Sequence, residues 1–232
     1  MKLTWLGHSA FRMEAGNSVI LIDPFLKGSP TFTGDFDQAV AGATHIVITH
    51  GHDDHVGDAA EIARNTGAQV ISNFEICMFL NAQGAQNVNP GNTGGTIDCG
   101  EFKVSFTQAL HSSSTIVDGK PIYLGNPNGM VIDHKNAPTI FHFGDTEVFA
   151  DMALIEELYK PRLGLIPVGD RFTMSGDTAA MAVQRYFNFD TVVPMHYGTF
   201  PIIDQTPERF VNAMKGDKTK VVVAQPGQAV GL

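Results

Sequence analysis

In the stretch THGHDDHVGD, residues 49–58, three histidines (His50, His52, His55) and two aspartates (Asp53, Asp54) crowd six consecutive positions after the apolar run HIVI. Neutral imidazoles and ionised carboxylates are the side chains that ligate divalent cations of the zinc, manganese and iron type. In extended backbone, residues two apart point to one side, so His50 and His52 can share an ion. Asp54 and His55 fall on the turn that follows, where the chain swings round and can face a second ion. Three later residues extend the set: His111 ends KVSFTQAL, Asp145 ends TIFHFG and His196 ends TVVPM. Sheet-based enzymes present their chemistry from loops at strand ends. With His111 completing one site, His196 the other and Asp145 between them, each ion receives three or four ligands. A pair of ions about 3.5–4 Å apart can share a hydroxide and clamp the oxygens of a substrate. Asp54 is the expected proton acceptor. A solvated polar loop would account for the six-residue cluster alone, but not for the three later residues in the same context.

The remaining candidates each carry a bland alternative. Asp53 is expected to face solvent, as most aspartates do, although a carboxylate there could also hydrogen-bond a ligand. His8 in LGHSAF and Asp23 in LIDP end strand-like runs and are candidates for orienting ligand imidazoles; a core contact and a turn are the competing roles. Arg171 in VGDRFTM is a candidate anion clamp, against a surface ion pair. Tyr197 follows His196 and reaches either substrate or core. The serines after His111 are candidate substrate contacts. His142, His45 and His134 read as structural.

These residues need elements to position them. KLTWL, SAFRME and SVILID are short β-favouring runs, with Gly16-Asn17 as a turn. From residue 44 strands and helices alternate: HIVIT, a helix over VGDAAEIARNTGA, the strand QVIS, and a helix over NFEICMFLNAQG. GEFKVSFTQAL, PIYLG, GMVID and PTIFHF form a second β-rich block. A helix over EVFADMALIEELYK follows, with Val148, Met152, Ile155 and Tyr159 on one face. RLGLIPV (strand), SGDTAAMAVQRYF (helix from a Ser cap), TVVPM (strand), TPERFVNAMKG (helix) and KVVVAQPG (strand) complete the chain. Two β-rich blocks, each followed by helices, predict two sheets packed face to face with helices outside.

No linker, repeat or low-complexity interval divides the 232 residues, so one domain over 1–232 is expected. The formal charge of −9, from 15 basic and 24 acidic side chains, disfavours a nucleic-acid partner. No apolar run approaches a membrane span and no signal peptide is visible. Cys77 and Cys99 read as reduced thiols, so a cytoplasmic location is expected, with a small-molecule substrate, no membrane partner and homo-oligomerisation left open.

HGHDDH matches the HxHxDH signature of the metallo-β-lactamase superfamily, and His111, Asp145 and His196 match its later motifs in order. LGHSAF, VILIDPFL, ALHSSS, FGDT, DMALIEE and PMHYGTFP resemble one branch of it. That branch is a family of uncharacterised metal-dependent hydrolases similar to the ascorbate-6-phosphate lactonase group. The resemblance implies an α/β (α+β) fold, a four-layer αββα sandwich with the site at one edge of the sheets. It implies His50, His52 and His111 on one metal, Asp54, His55 and His196 on a second, and Asp145 bridging. One departure is Asp53, where this branch often has Gly. The implied function is hydrolysis of a small ester, lactone or phosphoester by a metal-bound hydroxide, with one or two Zn2+ expected and Mn2+ or Fe2+ as alternatives. A nuclease or phosphodiesterase of the same superfamily is the competing reading, but it would need a basic arm that the chain lacks. An iron oxidoreductase is a further alternative. It is disfavoured by His52, where flavin-linked members usually carry an acid.

Overall fold

A computed structural model describes residues 1–231. The first half of the chain contributes β1 (Lys2–Gly7), β2 (Ala10–Ala15), β3 (Ser18–Ile22), α1 (Phe36–Val40), β4 (His45–Val47), α2 (Asp53–Val56), α3 (Ala59–Thr66), β5 (Gln69–Asn73), α4 (Phe74–Ala82) and β6 (Val88–Gly91). The second half contributes β7 (Thr96–Asp98), β8 (Phe102–Gln108), β9 (Ser114–Val117), β10 (Lys120–Tyr123), β11 (Asn128–His134), β12 (Ile140–His142), α5 (Met152–Tyr159), β13 (Leu163–Pro167), α6 (Gly176–Tyr186), β14 (Thr191–Met195), α7 (Glu208–Ala213) and β15 (Lys220–Val221).

Strands β1 to β6 form one sheet in sequence order, and β15-β14-β13-β12-β11-β8-β7 form a second. Strand alternation sorts the side chains. Ile20, Ile22, Val47 and Ile71 point inward to a core shared with Val104, Phe106, Met130 and Ile132 of the second sheet. Their neighbours Leu21, Ile46 and Val70 point outward and are covered by Val40, Val56, Ile62, Ile76 and Leu80 of α1 to α4. Met152 and Ile155 of α5, Val183 of α6 and Phe210 of α7 cover the far face of the second sheet. The layers are therefore helix, sheet, sheet, helix, as expected.

Strand direction fixes where the site can form. β1 and β2 pair antiparallel, as do β2 and β3, whereas β3, β4 and β5 run parallel, so β1, β3 and β4 share one direction. In the second sheet β8 and β12 are each antiparallel to β11, and β12, β13 and β14 are parallel, so β8, β12 and β14 also share a direction. The chain leaves these strands through His8, Asp23 and His50 on one sheet, and through His111, Asp145 and His196 on the other.

Several elements differ from the expected pattern. The helix over residues 56–68 is two helices broken at Gly57, whose φ is +43°. A Cβ there would lie 2.5 Å from the Phe25 Cα and 2.6 Å from the Pro24 carbonyl oxygen, so the close approach of that loop forces the break. The helix after Asp145 begins only at Met152, and Val148 packs as loop. The last strand shortens to two residues. Helix α1 and strands β6, β7 and β9 were not anticipated, and PIYLG, expected within the second β-rich block, forms β10 in a separate hairpin with β9. Ser175 caps α6 by accepting a hydrogen bond from the Thr178 N–H. Neither cysteine is in a disulfide: Cys77 is buried and Cys99 half-buried. No helix among the described residues is long and apolar enough to cross a membrane.

Candidate metal centre

His50, His52 and His111 converge first. The Nε2 atoms of His50 and His111 lie 3.0 and 3.2 Å from His52 Nδ1. These separations are close to the roughly 3.3 Å expected for two ligands about 2.0–2.1 Å from one tetrahedral ion. Two of the rings, His50 and His52, are set by their other nitrogen. The Thr49 hydroxyl lies 3.0 Å from His50 Nδ1, and the Ser112 hydroxyl lies 3.2 Å from His52 Nε2. Burial lowers the pKa of all three imidazoles, which keeps them neutral with a lone pair directed at the common point.

Asp54, His55 and His196 form the second group, and with His8 their donor atoms all lie within 4.8 Å of one another. Helix α2 starts at Asp53, so Asp54 and His55 sit on its first turn. His55 Nδ1 donates to Asp23 Oδ2 at 2.7 Å, which turns Nε2 toward Asp145. Burial opposes charge on this ring, but Asp145 and Asp23 raise its pKa well above the ordinary value, so a cation bound there would take the place of the Nε2 proton. Asp23 also accepts from the Thr49 N–H at 2.8 Å and from the Thr49 hydroxyl at 2.6 Å. One carboxylate thus orients His55 directly and His50 through Thr49. His8 is fully buried, with burial and the neighbouring His196 lowering its pKa to about 4. As a neutral ring it donates from Nε2 to Asp54 Oδ2 at 3.1 Å and accepts at Nδ1 from the Thr199 hydroxyl at 2.8 Å.

Asp145 stands between the groups. Its Oδ2 is 3.0 Å from His196 Nε2, 3.7 Å from His111 Nε2 and 3.9 Å from His50 Nε2, and its Oδ1 is 3.3 Å from His55 Nε2. Burial opposes charge on Asp145, but His196 and His55 hold its carboxyl well below the usual carboxylate range. Burial likewise resists charge on Asp54, yet the hydrogen bond from His8 and the field of His55 keep its carboxyl low.

The residues fit a divalent cation on a direct structural count. His55 Nε2, Asp145 Oδ1 and both ring nitrogens of His196 are buried without a well-aligned hydrogen bond among the described residues. The contacts that His55 Nε2 and His196 Nε2 do make, at 3.3 and 3.0 Å, are to the Asp145 carboxylate that would share the ion. A buried polar atom left unsatisfied costs about 1–3 kcal/mol, so a cluster of them at one point calls for a cation.

A cavity of about 370 Å³ opens onto these groups, lined by His52, Asp54, His111, Ser112, Asp145, Phe172, His196 and Phe200. The seven expected ligands are brought together, and His8 and Asp23 stand directly behind them. Two further candidates lie away from the cavity. Arg171 is exposed with its guanidinium 5.7 Å from the Phe172 ring centre, and it does not line the cavity. Tyr197 is buried with its ring 5.4 Å from that of Trp5, and burial pushes its hydroxyl up to about 12, so it is a core residue. Asp53 is exposed, as expected, but it also accepts a hydrogen bond from the Thr115 hydroxyl on β9. His142 is structural, joining the Ser9 carbonyl to the Gly144 N–H.

A family model described as a beta-lactamase superfamily domain matches residues 2–196, which contain every residue of this centre. A UPF0173 metal-dependent hydrolase of Methylocella silvestris is 65% identical over 221 residues, 95% of either chain. The chain belongs to this family. A second UPF0173 metal-dependent hydrolase, from a Chelativorans species, is 54% identical over 234 residues and the full length of both chains. Among solved structures, the metallo hydrolase Igni18 of the hyperthermophilic archaeon Ignicoccus hospitalis is 36% identical with a TM-score of 0.86. That match covers 99% of this chain and 97% of that one. Membership makes the protein an enzyme, a metal-dependent hydrolase with the metallo-β-lactamase fold.

Proposed function

We propose that this hydrolase cleaves a small ester, lactone or phosphoester at a dinuclear centre held by His50, His52 and His111, by Asp54, His55 and His196, and by Asp145 between them. The observation that carries the reading is the convergence, at a cavity floor, of buried imidazole nitrogens and carboxylate oxygens from both sheets, several of them without a well-aligned hydrogen bond. Divalent ions in these positions supply a water of pKa near 7 and polarise a carbonyl or phosphoryl oxygen. Zinc suits the mixed imidazole and carboxylate set, and Mn2+ or Fe2+ can occupy the same donors.

The chain's own residues supply the rest. Asp54 lines the cavity and orients the attacking water, taking its proton as the new bond forms. The His8 N–H fixes the Asp54 carboxylate so that one oxygen stays directed into the cavity. Asp23 and Thr49 hold the ligand rings in the tautomers that leave their lone pairs facing the centre. A cavity of about 370 Å³ is of small-molecule size.

The test is elemental analysis of the purified protein followed by a panel of lactones, thioesters, phosphomonoesters and phosphodiesters, assayed before and after chelation. Turnover of at least one class that chelation abolishes and added metal restores is the expected result. No metal-dependent turnover on any class from fully loaded protein would sink the proposal.

A further inference from the structure

We infer that the non-reacting part of the substrate is uncharged and apolar, gripped between Phe172 and Phe200. The inference deepens the hydrolase reading above and rests on it for the reacting end. Ligand-type groups and Ser112 form the floor of the cavity, and its remaining walls are these two phenyl rings. No Lys or Arg lines it among the described residues, and the guanidinium of Arg171 lies over the Phe172 ring outside the lining. A phosphate or carboxylate remote from the reacting bond would therefore meet aromatic carbon without a counter-charge, a costly desolvation.

Both rings are held in place. Phe200 packs edge-on against His8, with ring centres 5.5 Å apart, and lies 6.4 Å from the ring of Phe25. Phe172 is half exposed at the lip, yet its turn is built at a cost. Asp170 and Arg171 both adopt left-handed backbone, with φ of +59° and +52°, which non-glycine residues avoid. Asp170 holds that turn by accepting from the Arg171 N–H at 2.7 Å and from Arg209 Nη1 at 2.8 Å. Arg209 also reaches Asp177 and Asp204. Strain that persists only because neighbours over-determine it concentrates at functional positions, and here it aims Phe172 into the cavity. Aromatic walls reward a flat or branched apolar group by burying it against the rings.

The experiment uses the metal-loaded protein and two readouts. In the first, binding of acetanilide, a neutral and hydrolysis-resistant probe, is measured by calorimetry for the wild type and for F172A, F200A, F172L and F200L. In the second, kcat/KM is compared for phenyl acetate and 4-acetoxybenzenesulfonate, which share the reacting ester and differ by a remote anion that ligates metals poorly. The expected results are acetanilide affinity at least fivefold weaker in each alanine variant and largely regained in each leucine variant. Phenyl acetate should be preferred at least tenfold. No acetanilide binding, unchanged affinity in both alanine variants, or equal use of the sulfonate would overturn the inference. If the binding pattern holds but neither these esters nor any class of the preceding panel is turned over, the apolar grip stands and the hydrolytic reading of the preceding section fails.

Discussion

The adjacent acids of the HxHxDH motif diverge within one helical turn. Asp54 enters the cavity, hydrogen-bonded to His8, whereas Asp53 turns outward to the Thr115 hydroxyl on the β9–β10 hairpin. Asp54→Asn should lower kcat by about 10²–10⁴-fold, the usual contribution of a positioned proton acceptor, with metal content measured in parallel. Asp53→Ala should leave metal content intact and cost about 0.5–1.5 kcal/mol of stability, one exposed hydrogen bond, read by denaturant unfolding. Behind the ligands, Asp23→Asn should weaken metal binding about 10–100-fold, because Asp23 fixes the rings of both His55 and, through Thr49, His50. Unchanged affinity in a competition titration would remove that role. The residues that converge on the cavity were legible in the sequence because few side chains can bind a cation and these recur at strand ends. Thr49, Thr199, Phe172 and Phe200 were not, since common residues acquire a role only from what the fold sets beside them. For Arg171 the charge is legible and so is a place at the surface, but the left-handed turn that lays it over Phe172 is not.

At the level of elements, the turn after β13 carries the tightest constraint. A Cβ on Gly169 would stand 2.1 Å from the carbonyl oxygen of His196 and 3.1 Å from its Nδ1. His196 is itself left-handed, with φ of +60°. Gly169→Ala must therefore push the β14 exit loop outward, and about 1–3 kcal/mol of stability should be lost as in other overpacked sites. The His196 side of the centre should bind metal more weakly while the His50, His52 and His111 side is retained, a split that metal titration would resolve. Strands and helices were legible from apolar patterning and end signals, as with the Met152 and Ile155 face of α5 and the Ser175 cap of α6. The break at Gly57 and the late start of α5 were not. Both arise from loops of distant sequence pressing on the helix, and local propensity carries no record of that.

For the whole molecule, the centre joins the two sheets, with His50, His52, Asp54 and His55 from one and His111, Asp145 and His196 from the other. Removing metal should lower the melting temperature, since a ligand at a thousandfold excess over its dissociation constant adds about 4 kcal/mol. The metal-free protein should also be acid-sensitive. His8, His50, His52 and His111 have lowered folded pKa values, with burial the largest cause in each. The unfolded chain takes up these protons near 6.5 and the folded chain refuses them, so stability falls as pH drops from about 7 toward 4. His55 acts oppositely: burial disfavours its charge, but Asp145 and Asp23 raise its pKa, and the stability it adds is present below 6.5 and lost as pH rises. Burial also lowers the pKa of His45 and His142, so six depressed histidines stand against one, and calorimetry of the metal-free protein should show a lower melting temperature at pH 5 than at pH 7.5. A flat or rising profile would contradict this balance.

The central claim is that seven residues from two sheets hold two ions. The most direct measurement is calorimetric titration of Zn2+ into the metal-free protein, run beside His111→Ala and His196→Ala. The account predicts two ions per wild-type chain, with His111→Ala weakening one of them and His196→Ala weakening the other. A single ion insensitive to one of these substitutions, or no stoichiometric binding at all, would contradict it.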